Sequence, residues 1–174
     1  IEKQTLVAGG VPEAEVRQTA GGVHVVRGIL AGAANWTHQY GSAARTGASE
    51  DTRAGFPARL LWFGEPGPAR MISRHWGGPA PLAVDGRMFA LGQYCIIAVD
   101  AYNGHQLWEK SLPIANRYHA GSTGGSVVAD EACLYVLQGR SCLRVDQHTG
   151  KTVGQYKLPP APASMSQKEA AEAV

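Results

Sequence analysis

Hydrophobic and polar positions alternate in short runs along the second half of the chain. "PLAV", "RMFALG", "CIIAVD" and "HQLWEKS" follow one another between Pro81 and Ser111. "SVVA", "CLYVLQ", "CLRVD" and "KTVGQYK" follow between Ser126 and Lys157. Each run is short, rich in β-branched, aromatic or aliphatic residues, and closed by a turn signal, the pattern of β-strands. The dividers are Asp85-Gly86, Gly92-Gln93 and Asn103-Gly104 in the first set, and Asp130-Glu131, Gly139-Arg140 and Thr149-Gly150 in the second. The stripes that mark amphipathic helices do not occur here.

The two sets are one pattern used twice. A shift of 46 residues, from Asp100 to Asp146, carries Pro81–Pro113 onto Val127–Pro159 without a gap. Ala83, Leu91, Val99, Asp100, Gly104, Leu112 and Pro113 then meet Ala129, Leu137, Val145, Asp146, Gly150, Leu158 and Pro159. Conservative pairs such as Leu82/Val128, Phe89/Tyr135 and Ile97/Leu143 fill the intervals. Four strands joined by hairpins in a period of about 40–50 residues make one propeller blade. The chain is therefore expected to be all-β, a β-propeller fragment of four-stranded antiparallel up-and-down sheets.

The repeated turn has a physical reading. The carboxylate of Asp100 or Asp146 accepts turn N–H groups, and Gly104 or Gly150 takes the positive φ that closes the hairpin. Trp108 lies on the outer strand, where a large ring covers the gap to the next blade. Its counterpart in the second unit is Gly154, with Tyr156 nearby as a compensating ring. Trp62 stands 46 residues before Trp108 and predicts the outer strand of a preceding blade. Both tryptophans are expected to be largely buried between sheets.

Composition agrees with this picture. Of the 174 residues, 44% are hydrophobic and 17% charged, values of a globular chain, and the 22 glycines suit many tight turns. The net charge of +2 comes without a Lys/Arg cluster, so no nucleic-acid partner is implied. No apolar run reaches the length of a membrane span, so no membrane insertion is expected. No signal peptide is visible and residue 1 is Ile, so the chain is read as a piece whose true start is missing. Cys95, Cys133 and Cys142 form no C-x-x-C pair. In the hairpin, Cys142 is expected opposite Leu137 and Cys133 opposite Asp146, out of reach of a disulfide.

Along the chain, residues 1–34 read as strands of a preceding blade or an N-terminal extension. Residues 35–80 read as a lead-in with the outer strand of a blade, 81–126 as a blade with its connection, 127–160 as a second blade, and 161–174 as a linker. Val23–Leu30 predicts a strand, and Trp36 anchors the loop-like stretch that follows. Glu50 and Asp51 read as solvated loop acids.

Function on such a scaffold belongs to the connections. "SRHW" supplies Arg74, His75 and Trp76 before the first blade, and "NRYH" supplies Arg117, Tyr118 and His119 before the second. Arginine binds carboxylates or phosphates, histidine moves protons, and the aromatic rings stack on flat ligands. The same residues also suit the bracing of long loops, and both readings stand. The six histidines lack metal-ligand spacing, "TGGS" lacks the phosphate-loop pattern, and no G-x-S-x-G occurs.

Ala98, Asp100, Gly104 and Trp108, in A-x-D-x-x-x-G-x-x-x-W, resemble the tryptophan-docking repeat of pyrroloquinoline-quinone (PQQ)-like bacterial β-propellers. "PLAVDGRMFALG" resembles the strand pair opening each blade of that family, and "ANWTHQYGSAARTGAS" is similar to the Trp-led start of many members. The second unit departs from the pattern at Ala132, in place of Gly, and at Gly154, in place of Trp. The resemblance spans roughly residues 35–160. It implies a periplasmic or extracytoplasmic protein. It also implies either a non-catalytic binding or assembly module, like the outer-membrane assembly lipoprotein, or a fragment of a PQQ-dependent dehydrogenase whose ligands lie in other blades. A purely structural module beside another domain is the third reading. Family enzymes hold PQQ with calcium, a stacking Trp and often an adjacent Cys-Cys disulfide. This chain has no Cys-Cys pair, and no cofactor or metal site is expected within it. The expected partners are an unidentified protein or small ligand and the remaining blades of the same propeller. Without those blades the chain is expected to form an open arc whose unpartnered faces associate.

Overall fold

The computed structural model describes residues 2–11, 13–25, 29–64, 70–71, 80–113, 126–157 and 159. A short helix, α1 (Lys3–Ala8), and a 3-10 turn (Glu13–Glu15) precede a hairpin of β1 (Val16–Thr19) and β2 (Gly22–Val25). The strand expected over Val23–Leu30 is thus β2 and stops at Val25. Ile29 and Leu30 carry no strand, and residues 26–28 lie outside the described residues.

Two four-stranded antiparallel sheets follow, each in simple sequential order. The first holds β3 (Leu82–Val84), β4 (Arg87–Gly92), β5 (Cys95–Asp100) and β6 (Gln106–Ser111). The second holds β7 (Val127–Ala129), β8 (Cys133–Gln138), β9 (Ser141–Asp146) and β10 (Thr152–Lys157). The repeat extends to the register. Leu82 pairs with Phe89 and, 46 positions on, Val128 pairs with Tyr135. Cys95 pairs with Ser111, and Ser141 with Lys157. Each sheet also has a register shift at the same place, between Ala98/Val99 and between Thr152/Gly154. Two sheets of the same register and the same bulge are one supersecondary unit built twice.

Burial follows the strand period. Leu82, Val84, Phe89, Ile96, Ala98 and Leu112 of the first unit meet Val127, Ala129, Leu134, Val136 and Val145 of the second in one core. The other face of the first sheet buries Cys95, Ile97 and Val99 under Trp62, Met71 and Met88. β5 is therefore covered on both faces, which is why "CIIAVD" is a continuous apolar run. From Leu107 on, outer strand β6 alternates exposed and partly buried positions because one side meets water. Leu137 lies opposite Cys142 and Cys133 opposite Asp146, as the hairpin arithmetic requires, and all three cysteines are free.

One further feature differs from the expectations. Of residues 59–67, "RLLWFGEPG", read as an outer strand, 59–64 carry no strand assignment and 65–67 lie outside the described residues. A strand needs a hydrogen-bonded neighbour, and none among the described residues lies beside this segment. Trp62 and Trp108 are partly buried, each packed against one of the two cores.

The lead-in ties the two sheets together at their inner edges. Trp36 exchanges backbone hydrogen bonds with Ala83 of β3, at 2.6 and 2.9 Å, and the Thr37 carbonyl accepts the Ala129 N–H of β7 at 2.9 Å. The Asn35 side chain accepts the Asp85 N–H at 2.9 Å and donates to its carboxylate at 3.2 Å. Asp51 is no free loop acid. Its carboxylate accepts the N–H groups of Arg53, Ala54 and Ala34, which fold the loop behind Trp36 and hold its charge below the ordinary value.

Candidate functional site

The repeated turn builds the junction between the sheets. The Asp100 carboxylate accepts the N–H groups of Tyr102 and Asn103 at 2.8 and 3.2 Å, and the Gly104 N–H reaches the Asp100 carbonyl at 2.8 Å. Asp146 does the same with His148 and Thr149 at 3.1 and 2.8 Å, and Gly150 returns to its carbonyl at 2.9 Å. The Thr149 hydroxyl adds a further bond, and together these donors lower the Asp146 carboxyl from its ordinary value. Gly104 and Gly150 have φ of 74° and 70°.

A tryptophan of one unit sits on that turn in the next. The Trp62 indole N–H donates to the Ala101 carbonyl, and that of Trp108 to the Gln147 carbonyl, each at 2.9 Å and each across 39 residues. A Cβ added at Gly104 would stand 2.4 Å from the Trp62 ring, and one at Gly150 would stand 2.7 Å from the Trp108 ring. Glycine is thus required twice over, for its φ and for the ring that lies on it. Phe89 supports Trp108 from behind, ring centroids 5.8 Å apart.

The second unit handles its own tryptophan position differently. In the first sheet Ala98 lies opposite Trp108, a small residue facing a large one. In the second, Arg144 lies opposite Gly154. The Arg144 side chain covers the glycine, its Nε 3.6 Å from where a Cβ would stand. That Nε is buried and makes no hydrogen bond among the described residues. Nearby, the Tyr135 hydroxyl donates to Asp130 at 2.9 Å, which raises the tyrosine's pKa. Burial pushes the Asp130 carboxyl up. The N–H groups of Cys133 and Ala132, with that hydroxyl, outweigh it and hold the group below its ordinary value.

The opposite end of the sheets is where the long connections begin and end. Met71 bridges to Gly92, the Gln93 N–H reaches the Arg70 carbonyl at 2.8 Å, and Arg70 pairs with Glu109. Leu112 bonds to Tyr94 and Leu137 to Ser126, each at 2.8 Å. Arg70 and Met71 of the first connection thus lie beside the turn at Gln93–Tyr94, and the second connection leaves beside Tyr94 and ends beside Leu137. Arg74, His75, Trp76, Arg117, Tyr118 and His119 lie outside the described residues.

The donor set of a PQQ–calcium centre does not fit the described residues. Asp51, Asp100, Asp130 and Asp146 are each engaged by turn N–H groups at separate places. Among the described residues no three His, Cys, Asp or Glu side chains converge. Cys95, Cys133 and Cys142 stand on three different strands.

Paired four-stranded meanders joined face to face, with one indole seat per junction, settle the architecture. The fold is that of β-propeller blades. Among solved structures the chain is similar to a quinohemoprotein alcohol dehydrogenase of Pseudomonas putida HK5, at 20% identity and a TM-score of 0.51 over 75% of this chain and 20% of that one. It is also similar to the quinohemoprotein alcohol dehydrogenase of Comamonas testosteroni, at 19% identity and 0.48 over 71% and 19%. BamB of Moraxella catarrhalis matches at 19% identity and 0.33 over 42% and 21%. The chain spans about one fifth of the length of each of these proteins. At such identity the likeness is one of fold. No family model and no curated protein matches the chain.

Sequence reasoning missed the acceptors Ala101 and Gln147, the Asn35–Asp85 pair, and the strap at Trp36–Thr37. The equal spacing of 39 residues from each tryptophan to its acceptor was the signal available for the first two.

Proposed function

We propose that the chain is a piece of a PQQ-like β-propeller serving as a binding or assembly module outside the cytoplasm. Its ligand, a protein or small molecule, meets the end of the blades where the connections gather. The reading rests chiefly on the repeated junction, in which one indole, one carbonyl and one glycine per blade fix neighbouring sheets in a single geometry. Such a frame is rigid, and on rigid frames binding residues fall to the connections between elements. Arg74, His75, Trp76, Arg117, Tyr118 and His119 are the residues proposed to contact the ligand.

The test is site-specific photocrosslinking from positions 76 and 118 in the native host, with variants Arg74→Ala and Arg117→Ala. A discrete crosslinked product, lost in the variants, is expected. A one-to-one absorbance titration of the protein with PQQ and calcium would instead favour the dehydrogenase fragment. Neither a product nor a titration would favour a module of purely structural role. Among the described residues no helix is long and apolar enough to cross a membrane, and fractionation of the host tests the extracytoplasmic placement.

A further inference from the structure

The second sheet buries Leu134, Val136 and Val145 against the first. By strand alternation its other face, the forward one, carries Tyr135 and Arg144. This forward face repeats, position for position, a face that is already an interface. In the first sheet Leu82, Phe89, Ala98 and Trp108 stand opposite one another in a row across all four strands. Leu82, Phe89 and Ala98 are buried in the core that joins the two sheets, and Trp108 packs against it. The matching row of the second sheet, 46 positions on, is Val128, Tyr135, Arg144 and Gly154. None of these four is buried.

What the row offers has changed. At the place of Ala98, in a row that is wholly apolar in the first sheet, the second sheet has a guanidinium. The other new polar group is satisfied, since the Tyr135 hydroxyl donates to Asp130 at 2.9 Å. Arg144 is not. Its Nε is buried without a hydrogen bond, and its guanidinium forms no ion pair among the described residues. The acids of its own blade are engaged. Asp130 takes the N–H groups of Ala132 and Cys133, and Asp146 those of His148 and Thr149.

A sheet laid on this face, as the second lies on the first, would strip the guanidinium of water. A charge so covered is strongly destabilising unless a counter-charge faces it. The face of a sheet presents side chains, because its backbone acceptors are taken up in the ladder. The acceptor must therefore come from a side chain, and the one that carries the opposite charge and fits the guanidinium fork is a carboxylate.

We propose that Arg144 docks the next blade of the propeller through an Asp or Glu side chain of that blade, placed where the second blade has Leu134, Val136 or Val145. The carboxylate accepts side-on from Nε and one terminal nitrogen. The two junctions of the second blade then differ in kind, an indole seat on one side and an ion pair on the other. A blade with an apolar rear face is disfavoured against Arg144, so the pair specifies which blade follows. The proposal rests on the reading of the chain as a piece of a propeller, and not on what the connections bind.

The experiment is carried out on the protein in its native host, with a photocrosslinking p-benzoylphenylalanine in place of Tyr156, which lies on the same face opposite Cys142. Mass spectrometry is expected to find the crosslink in a following blade of the same polypeptide, with an acid at one of the three stated positions. Arg144→Met is expected to lower the melting temperature, because it leaves that acid covered and alone. Combining it with Leu in place of the acid is expected to restore the melting temperature or raise it, since an apolar pair suits a dry junction. A following blade with no acid at these positions, or an Arg144→Met variant that melts no lower than the wild type, would overturn the ion pair and leave the propeller reading intact. A crosslink to a different protein, or none, would overturn both.

Discussion

The forward face of the first blade and the forward face of the second are built on one backbone and filled in opposite ways. The first presents Phe89, Leu91, Ile96, Ala98 and Trp108 at the positions where the second presents Tyr135, Leu137, Cys142, Arg144 and Gly154. The pair opposite each other across the two outer strands changes from small-and-large to large-and-small, Ala98–Trp108 to Arg144–Gly154. A flat group of similar extent therefore stays on that face but moves to the neighbouring strand. The first face is an indole with one N–H, and its acceptor is the Gln147 carbonyl. The second is a guanidinium with several donors and a buried Nε that no described residue satisfies. One backbone thus carries a flat group on that face from either of its two outer strands.

Glycine substitutions test this most strongly. Gly150→Ala must accept an unfavourable φ and a Cβ 2.7 Å from the Trp108 ring, and it is expected to cost about 3 kcal/mol in chemical denaturation. Gly154→Ala meets only ordinary contact with Arg144 at 3.6 Å and is expected to be neutral or stabilising by about 0.5 kcal/mol. Equal losses at the two sites would erase the distinction between a ring seat and a covered strand position.

Trp108→Ala is expected to cost about 2–3 kcal/mol, less than a fully buried tryptophan because the residue is only partly buried. A double-mutant cycle then sharpens the swap. Arg144→Ala and Gly154→Trp are each expected to destabilise, and together to recover about 1–2 kcal/mol of the summed loss, since the double variant recreates the Ala98–Trp108 pair. Strict additivity in thermal melts would show that the two positions do not share one space.

The acids give a smaller, pH-dependent contrast. Asp130 and Asp146 both lie below the ordinary carboxylate value of 3.8. A lowered folded-state pKa stabilises the fold above that value, and the contribution is lost as pH falls through the folded-state pKa. The melting temperature is therefore expected to fall as the pH drops below about 4, and Asp130→Asn should flatten that fall. An unchanged profile in the variant would assign the acid sensitivity to other carboxylates.

Gln147→Ala carries the smallest expected effect. The side chain is fully buried and donates to the Glu131 carbonyl, while its Oε1 has no partner among the described residues. The equivalent residue of the first blade is Ala101. Losing one hydrogen bond offsets removing one unsatisfied acceptor, so stability should change by less than about 1 kcal/mol.

Much of this was legible in the order of residues. The gapless shift from Asp100 to Asp146 determined four strands per unit, their turns, the opposition of Leu137 to Cys142, and the glycines that close the hairpins. These are local matters, fixed by alternation of side chains and by the φ each turn demands, so the chain states them within a few residues. The tertiary structure alone decided the rest. It laid Trp62 on Gly104 and Trp108 on Gly150, set Arg144 over Gly154, and threaded Trp36 and Thr37 along the inner edges of both sheets. It also gave residues 59–64 no backbone pairing among the described residues, although their sequence reads as a strand. Each of these depends on which surfaces meet across tens of residues, and a strand becomes a strand only when another edge arrives to satisfy its backbone.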